Sequence, residues 1–379
     1  MTETWICPDQ LFDGATLREN MAIRIVEGRV DAIASRTEIP TNCRTIAGII
    51  TPGFVDLQVN GGGGVLFNQT PTREGLRRIV DAHRKLGTIA ILPTVISDTS
   101  EVLAAAVDTA IEAKNDRGIV GLHIEGPHIA ASRRGTHAAK FMRPFDAETL
   151  AHVRRLRAEG VRVMITLAPE AASNADITAL TDLGAVVSLG HTDASAEDTR
   201  AAFTAGAQCV THISNAMPPM YNREVGVMGA AINSDAYAGI ICDGIHVADE
   251  MVGLILRARP VPDRMFLVSD AMPTVGGPDH FNLYGDDIRL SDGRLINAEG
   301  SLAGAHITQA ESVARLVQHV GIGLEQALRM AVTVPATLMG ADELATVKGR
   351  PIGDLLVLDD ALKIQGTLAD IEMADASHT

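Results

Sequence analysis

The sequence predicts an α/β fold: a (β/α)8 barrel with a small β-sandwich unit built from both chain ends. Three observations carry this expectation. Between residues 52 and 272 lie eight short apolar runs, each continuous, as strands buried on both faces require. Helix-patterned segments with polar caps separate most of them. The two ends of the chain instead alternate apolar and polar residues around Gly and Asp turns. At 379 residues, the length alone suggests two or three domains of roughly 150 residues, but barrels of about 250 residues form single units.

The small unit is expected over 1–51 and 345–379, and the barrel over 52–344. MAIRIVEGRVDAIA reads as a hairpin around Glu27-Gly28, and GRPIGDLLVLDDALKIQGTLA supplies matching strands at the other end. The barrel strands are expected at 52–60, 88–95, 119–126, 161–168, 185–192, 207–214, 237–247 and 264–272. Between them, the helix that Thr72 caps closes at Gly87, and the segments from Asp98, Asp146 and Ser195 follow the same grammar. Residues 304–340 supply two more helices. An open doubly wound sheet would place GxGxxG after its first strand. The run Asn60-Gly61-Gly62-Gly63-Gly64 there lacks a following helix start and the Lys-Ser/Thr of a phosphate loop, so it reads as a flexible loop. Residues 276–304 are rich in turns and read as a mobile cover over the pocket.

Composition excludes several classes. Lys plus Arg number 32 against 47 Asp plus Glu, a net charge of −15 that repels phosphate backbones and excludes nucleic acid as a partner. No window holds ~18 uninterrupted apolar residues, so no membrane span is expected. The N-terminus lacks the basic and apolar regions of a signal peptide. Cys7, Cys43, Cys209 and Cys242 show no framework spacing and read as reduced thiols of a cytoplasmic protein.

Catalytic groups of a barrel come from the C-terminal ends of its strands. Here the strands end in Gln58 and Asn60, in Glu125, in His191, in His212, in Asp243 and His246, and in Asp270. Two histidines and a carboxylate closing three apolar runs suit one divalent ion, zinc or ferrous iron, with a position left for water. A metal lowers the pKa of such a water from 15.7 to about 7. Asp270 is then the natural proton shuttle to a leaving nitrogen.

The stretches PGFVDLQVNGGGG, GLHIEGPH, RRGTHAAKF, SLGHTDAS, THISNAMPPM, NREVGVMGA, CDGIHV and VSDAM together resemble the N-acetylglucosamine-6-phosphate deacetylases of the amidohydrolase superfamily. The likeness runs from about Pro52 to about Gly340. It implies hydrolysis of the acetamide of an N-acetyl amino sugar 6-phosphate. On it, Glu125, His191 and His212 match the metal ligands, Asp270 the acid/base, and His137 a histidine that polarises the carbonyl. Asn215, Ala216 and His246 match substrate contacts near the phosphate, with Gln58 and Asn60 lining the same site. Arg223 matches a phosphate-binding arginine that reaches in from the neighbouring subunit of a homodimer.

Two departures stand out. Most amidohydrolases carry His-x-His at the end of the first strand, where this chain has Gln58-Val59-Asn60. No lysine lies near Thr166–Pro169 to bridge two ions. Both features point to the one-metal branch, since amides are poor zinc ligands. His128 stands where some members have an aromatic residue, beside the metal site, where it either alters sugar selectivity or fills a gap. Another N-acyl amino sugar phosphate or an N-acyl amino acid remains open as substrate, as does a silent barrel acting as a binding module. Buried ionisable ligands without a task argue against the last.

Overall fold

The computed structural model describes residues 3–376. Eight parallel strands form the barrel: β1 (Phe54–Val59), β2 (Thr88–Ile96), β3 (Gly121–Glu125), β4 (Arg162–Leu167), β5 (Val186–Leu189), β6 (Cys209–Val210), β7 (Tyr237–Ile240) and β8 (Met265–Leu267). They pair in sequence order. Beyond β8, the chain closes the ring through a parallel bridge between Val59 and Ala271. Nearly every strand residue is buried, which is why the runs are apolar on both faces. Helices cover the outside, and several are started by a polar cap. Thr72 accepts from the Gly75 amide at 3.1 Å, Asp146 from Thr149 at 2.7 Å, and Ser173 forms a reciprocal capping box with Asp176.

The observed strands stop short of the apolar runs at their C-terminal ends. His191, His212 and Asp270 lie past β5, β6 and β8, with φ of 49°, 28° and 51°. This left-handed backbone turns the chain inward over the barrel mouth and carries strain of the kind found at functional sites.

The two chain ends meet in one seven-stranded mixed sheet. The Met21–Val26 and Arg29–Ser35 strands pair around Glu27-Gly28, both with positive φ, as a two-residue hairpin requires. Leu355–Leu358 adds antiparallel to Arg44–Pro52, and Ile364–Thr367 follows it. Ile6, Ile23, Ile50, Leu355 and Leu368 form the core of this unit. Residues 1–2 and 377–379, at the ends of the expected small unit, lie outside the described residues. Asp354 joins the sheet to the barrel through Arg84 and Arg117 at 2.6 Å and Arg350 at 2.9 Å.

One expectation is corrected. Cys7 and Cys43 are paired as a disulfide across a sequence separation of 36, not reduced. The argument from cysteine usage for a reducing compartment therefore fails for this pair. Cys209 and Cys242 are free and buried as expected, and burial pushes each thiol up to about 12. Within the 276–304 segment, residues 280–296 form a three-stranded antiparallel sheet, and Ser301, Leu302 and Gly304 line the cavity at the barrel mouth. Phe281, Leu283, Ile288 and Leu295 pack under this sheet against Leu66, Ile96 and Met272. Among the described residues no helix is long and apolar enough to cross a membrane.

Candidate metal centre and active site

A cavity of about 270 Å³ opens at the C-terminal mouth of the barrel. Its walls include Asn60, Glu125, His137, His191, His212, Asn215, Ala216, His246 and Asp270, nine of the residues expected from the sequence. Gln58 is buried beneath the cavity and Arg223 is exposed outside it.

Three ligand atoms converge at its floor. His212 Nε2 lies 3.0 Å from Glu125 Oε1, His191 Nε2 lies 3.4 Å from the same oxygen, and the two Nε2 atoms are 3.1 Å apart. Ligands of a tetrahedral zinc at 2.0–2.1 Å would stand about 3.3 Å apart, so this triangle has the size of one face of such a site. The chemistry of the set also fits a cation. His191 Nδ1 donates to the Arg133 carbonyl at 2.8 Å, which orients the ring with Nε2 toward the carboxylate. All three side chains are buried, and facing acceptors need a positive charge between them. Burial acts to raise the Glu125 pKa, but the adjacent His191 and His212 rings hold it well below the usual range. Burial acts to lower His212, and the Glu125 carboxylate outweighs it and raises the pKa.

Asp270 stands beside this cluster. Its Oδ1 accepts from Asn60 Nδ2 at 2.7 Å and from Gln58 Nε2 at 3.2 Å. Gln58 Nε2 also reaches Glu125 Oε1 at 2.9 Å. The amide that replaces a strand-1 histidine therefore links acid/base candidate to ligand candidate. Burial, and then the charge of Glu125, pushes the Asp270 carboxyl up to about 6. The other amide oxygen, Asn60 Oδ1, is buried with no hydrogen-bond partner.

His137 enters from the 131–141 loop. Ser97 sets its tautomer: the Ser97 amide donates to Nδ1 at 3.4 Å and its hydroxyl lies 2.7 Å from the same nitrogen. The ring proton is then on Nε2. Burial, followed by the charge of His191, pushes His137 down to about 3, so the ring is neutral. Burial likewise pushes His123, under the ligands, down to about 4. His246 is held by Asp243, whose Oδ2 lies 2.6 Å from Nδ1. Ala216 lines the wall with φ of 52°, and Asn215 Nδ2 donates to the His212 carbonyl at 3.3 Å.

His128 does not line the cavity. Its Nδ1 lies 3.0 Å from the Pro144 carbonyl and its Nε2 2.9 Å from Thr149 Oγ1, and its ring packs edge-on against Phe145. It anchors the 143–149 segment, which corrects its expected place beside the metal. The sequence reading missed Ser97, although it directly follows the apolar run of the second strand, where the barrel rule looks for functional groups. It also missed the Arg133 carbonyl, which has no side-chain signal.

Comparison with known proteins follows the same line. The amidohydrolase family profile matches residues 49–376. An N-acetylgalactosamine-6-phosphate deacetylase of Shewanella sp. (strain ANA-3) is 37% identical over 358 residues, covering 92% of this chain and 90% of its own. An N-acetylglucosamine-6-phosphate deacetylase of Haemophilus influenzae is 34% identical over 360 residues, covering 91% and 93%. The crystal structure of N-acetylglucosamine-6-phosphate deacetylase from Pasteurella multocida superposes with a TM-score of 0.89 at 31% identity, covering 97% of this chain and 98% of that one.

Proposed function

The chain belongs to the amidohydrolase family, and from that premise we propose that it is a metal-dependent deacetylase. It hydrolyses the acetamide of N-acetyl-D-glucosamine 6-phosphate to D-glucosamine 6-phosphate and acetate. The observation that carries this is the convergence of Glu125, His191 and His212 within 3.4 Å of one another beside Asp270. Relatives of matching length named as deacetylases of amino sugar 6-phosphates support it.

Glu125, His191 and His212 would hold one divalent ion, zinc or ferrous iron. Bound there, the ion supplies Lewis acidity to the acyl oxygen and makes hydroxide available near neutral pH. Asp270 takes the proton released from water as it attacks the acyl carbon. It returns that proton to the nitrogen as the C–N bond breaks, so acetate and a free amine leave. The neutral His137 donates from Nε2 to the developing oxyanion. Asn60 Oδ1, unpartnered, accepts the amide N–H. The phosphate lies toward Asn215, Ala216 and His246, where an acidic protein must concentrate its attraction for an anion. Arg223 lies outside this cavity, and the reading assigns it to the phosphate of the neighbouring subunit in a homodimer.

A second reading, the galactosamine epimer as substrate, is favoured by the 37% identity to the Shewanella protein. Acetate release from the two epimeric N-acetylhexosamine 6-phosphates, and from unphosphorylated N-acetylglucosamine, tests both. Faster release from the gluco epimer supports the first reading and faster release from the galacto epimer the second. Equal turnover of the unphosphorylated sugar dismisses both.

A further inference from the structure

We propose that a buried hydrogen-bonded chain, His123–Thr166–Thr211–Ser188, sets the spacing of the three candidate ligands above it and thereby the affinity of the site for its ion. The proposal rests on the reading that Glu125, His191 and His212 hold a divalent cation. His123 Nε2 lies 2.7 Å from Thr166 Oγ1, which lies 2.6 Å from Thr211 Oγ1, which lies 2.6 Å from Ser188 Oγ. At the other end, His123 Nδ1 lies 3.3 Å from Thr94 Oγ1. Thr94, His123, Thr166, Ser188 and Thr211 are each at most 4% exposed. Buried this deeply, such groups are costly unless paired.

The protons can be placed. Thr94 Oγ1 donates to the Leu92 carbonyl and accepts from the Val59 amide, so it takes the His123 Nδ1 proton as a second acceptor contact. Neutral His123 then accepts at Nε2 from Thr166. Thr166 accepts from Thr211, and Thr211 from Ser188. The chain runs in one direction and joins β2, β3, β4, the residue that follows β6, and β5 side chain to side chain, with β1 tied in through Val59.

Three of the members adjoin a ligand. His123 precedes Glu125 by two residues on β3 and faces the same side. Thr211 immediately precedes His212. Thr166 is the register partner of Glu125 on one side and of Ser188 on the other, and its carbonyl accepts the Gly126 amide at 3.1 Å. Gly190 carries His191 over this layer with no space to spare. A Cβ at Gly190 would stand 2.8 Å from Thr166 Cγ2 and 2.9 Å from Thr211 Cβ. A shift of any one of these strands therefore reaches the ligand triangle, and a site of this kind tolerates only about 0.5 Å. These are positioning residues, since none of them lines the cavity.

The test is cobalt(II) binding to the metal-free, full-length protein, read by chelator competition and by the visible absorption of the bound ion. Thr166→Val and Thr211→Val keep the volume and remove the link. Each is expected to bind cobalt(II) roughly 10- to 100-fold more weakly, the usual effect of losing a group that orients ligands, with a shifted absorption band. Thr166→Ser and Thr211→Ser, which keep the hydroxyl, should recover most of the affinity. The double valine variant should cost little more than either single one, because both cut the same chain. Thr199, a buried threonine that bonds the Ser195 carbonyl at 2.7 Å outside the chain, provides the control. Valine variants with wild-type affinity and spectrum would overturn the proposal. So would serine variants as weak as valine, or an equal loss in Thr199→Val. A wild-type protein that binds no cobalt(II) would overturn the ligand reading itself, a result distinct from any ratio between variants.

Discussion

Replacing Asp270 by asparagine separates what this residue does for catalysis from what it does to the fold. In the metal-free protein, burial and the Glu125 charge push its carboxyl from 3.8 to about 6. A rise of about 2 pKa units corresponds to about 3 kcal/mol at 1.36 kcal/mol per unit. Because the folded pKa is the higher one, the protonated form is favoured by folding. Its contribution is full below the unfolded value near 4 and is lost as pH rises through about 6. At pH 7 the ionised carboxylate is therefore a destabilising presence, and Asp270→Asn should make the metal-free protein more stable by about 3 kcal/mol. The asparagine can still accept from Asn60 Nδ2 through its amide oxygen. The gain should vanish below about pH 4, where wild type and variant carry the same charge at this position. Denaturant unfolding of both chelated proteins at pH 7 and pH 4 measures it. The same substitution should lower acetate release 10²- to 10⁴-fold, the usual share of general acid/base catalysis, while metal content stays near normal. A variant with full activity, or one less stable than wild type at pH 7, would refute the reasoning.

Three further outcomes follow from the geometry. Burial opposes ionisation of Asp354, but hydrogen bonds from Arg117 and Arg84 and the charge of Arg350 hold its pKa below the ordinary value. Asp354→Ala leaves those cations unpaired and should destabilise the protein by about 3–5 kcal/mol in urea titrations at pH 7. With the folded pKa depressed, this contribution is present above the unfolded value near 4 and is lost as pH falls below it, so the gap to wild type should close in acid. Arg223→Ala should raise KM for the phosphorylated sugar roughly 10- to 100-fold, the worth of a charge-assisted hydrogen bond, and leave an unphosphorylated analogue unchanged. Equal losses on both substrates would remove its phosphate role. His128→Ala should lower the unfolding free energy by about 2 kcal/mol through lost buried hydrogen bonds, without altering preference between epimeric sugars. A changed preference would show that His128 acts on the site after all.

Much of this architecture was legible because burial on both faces writes barrel strands as unbroken apolar runs. Glu125, His191, His212 and Asp270 each closed or followed such a run, and the structure brings them to one cavity. What the runs could not show is where sheet pairing stops. The left-handed turns at His191, His212 and Asp270 fall on residue types that visit that backbone region more often than most, but too rarely for the sequence to mark where. The orientation of His128 depended on the packing of Phe145 and Thr149, which contiguous sequence does not disclose. His280 to Leu283 alternate in exposure as an edge strand should, yet the surrounding Gly, Asp and Asn residues hid that pattern among turns. Cys7 lies in the Glu3–Phe12 strand and Cys43 just before the strand that opens at Arg44, and no spacing rule joins them.

The central claim is that a single cation sits between Glu125, His191 and His212. Elemental analysis of the purified protein, alongside Glu125→Gln, His191→Ala and His212→Ala, tests it most directly, with acetate release measured on each sample. The account predicts about one divalent ion per chain in the wild type, as three protein ligands at an open site imply. It predicts loss of both ion and activity in all three variants. Stoichiometric metal retained in those variants, or acetate release by wild-type protein stripped of metal, would contradict it.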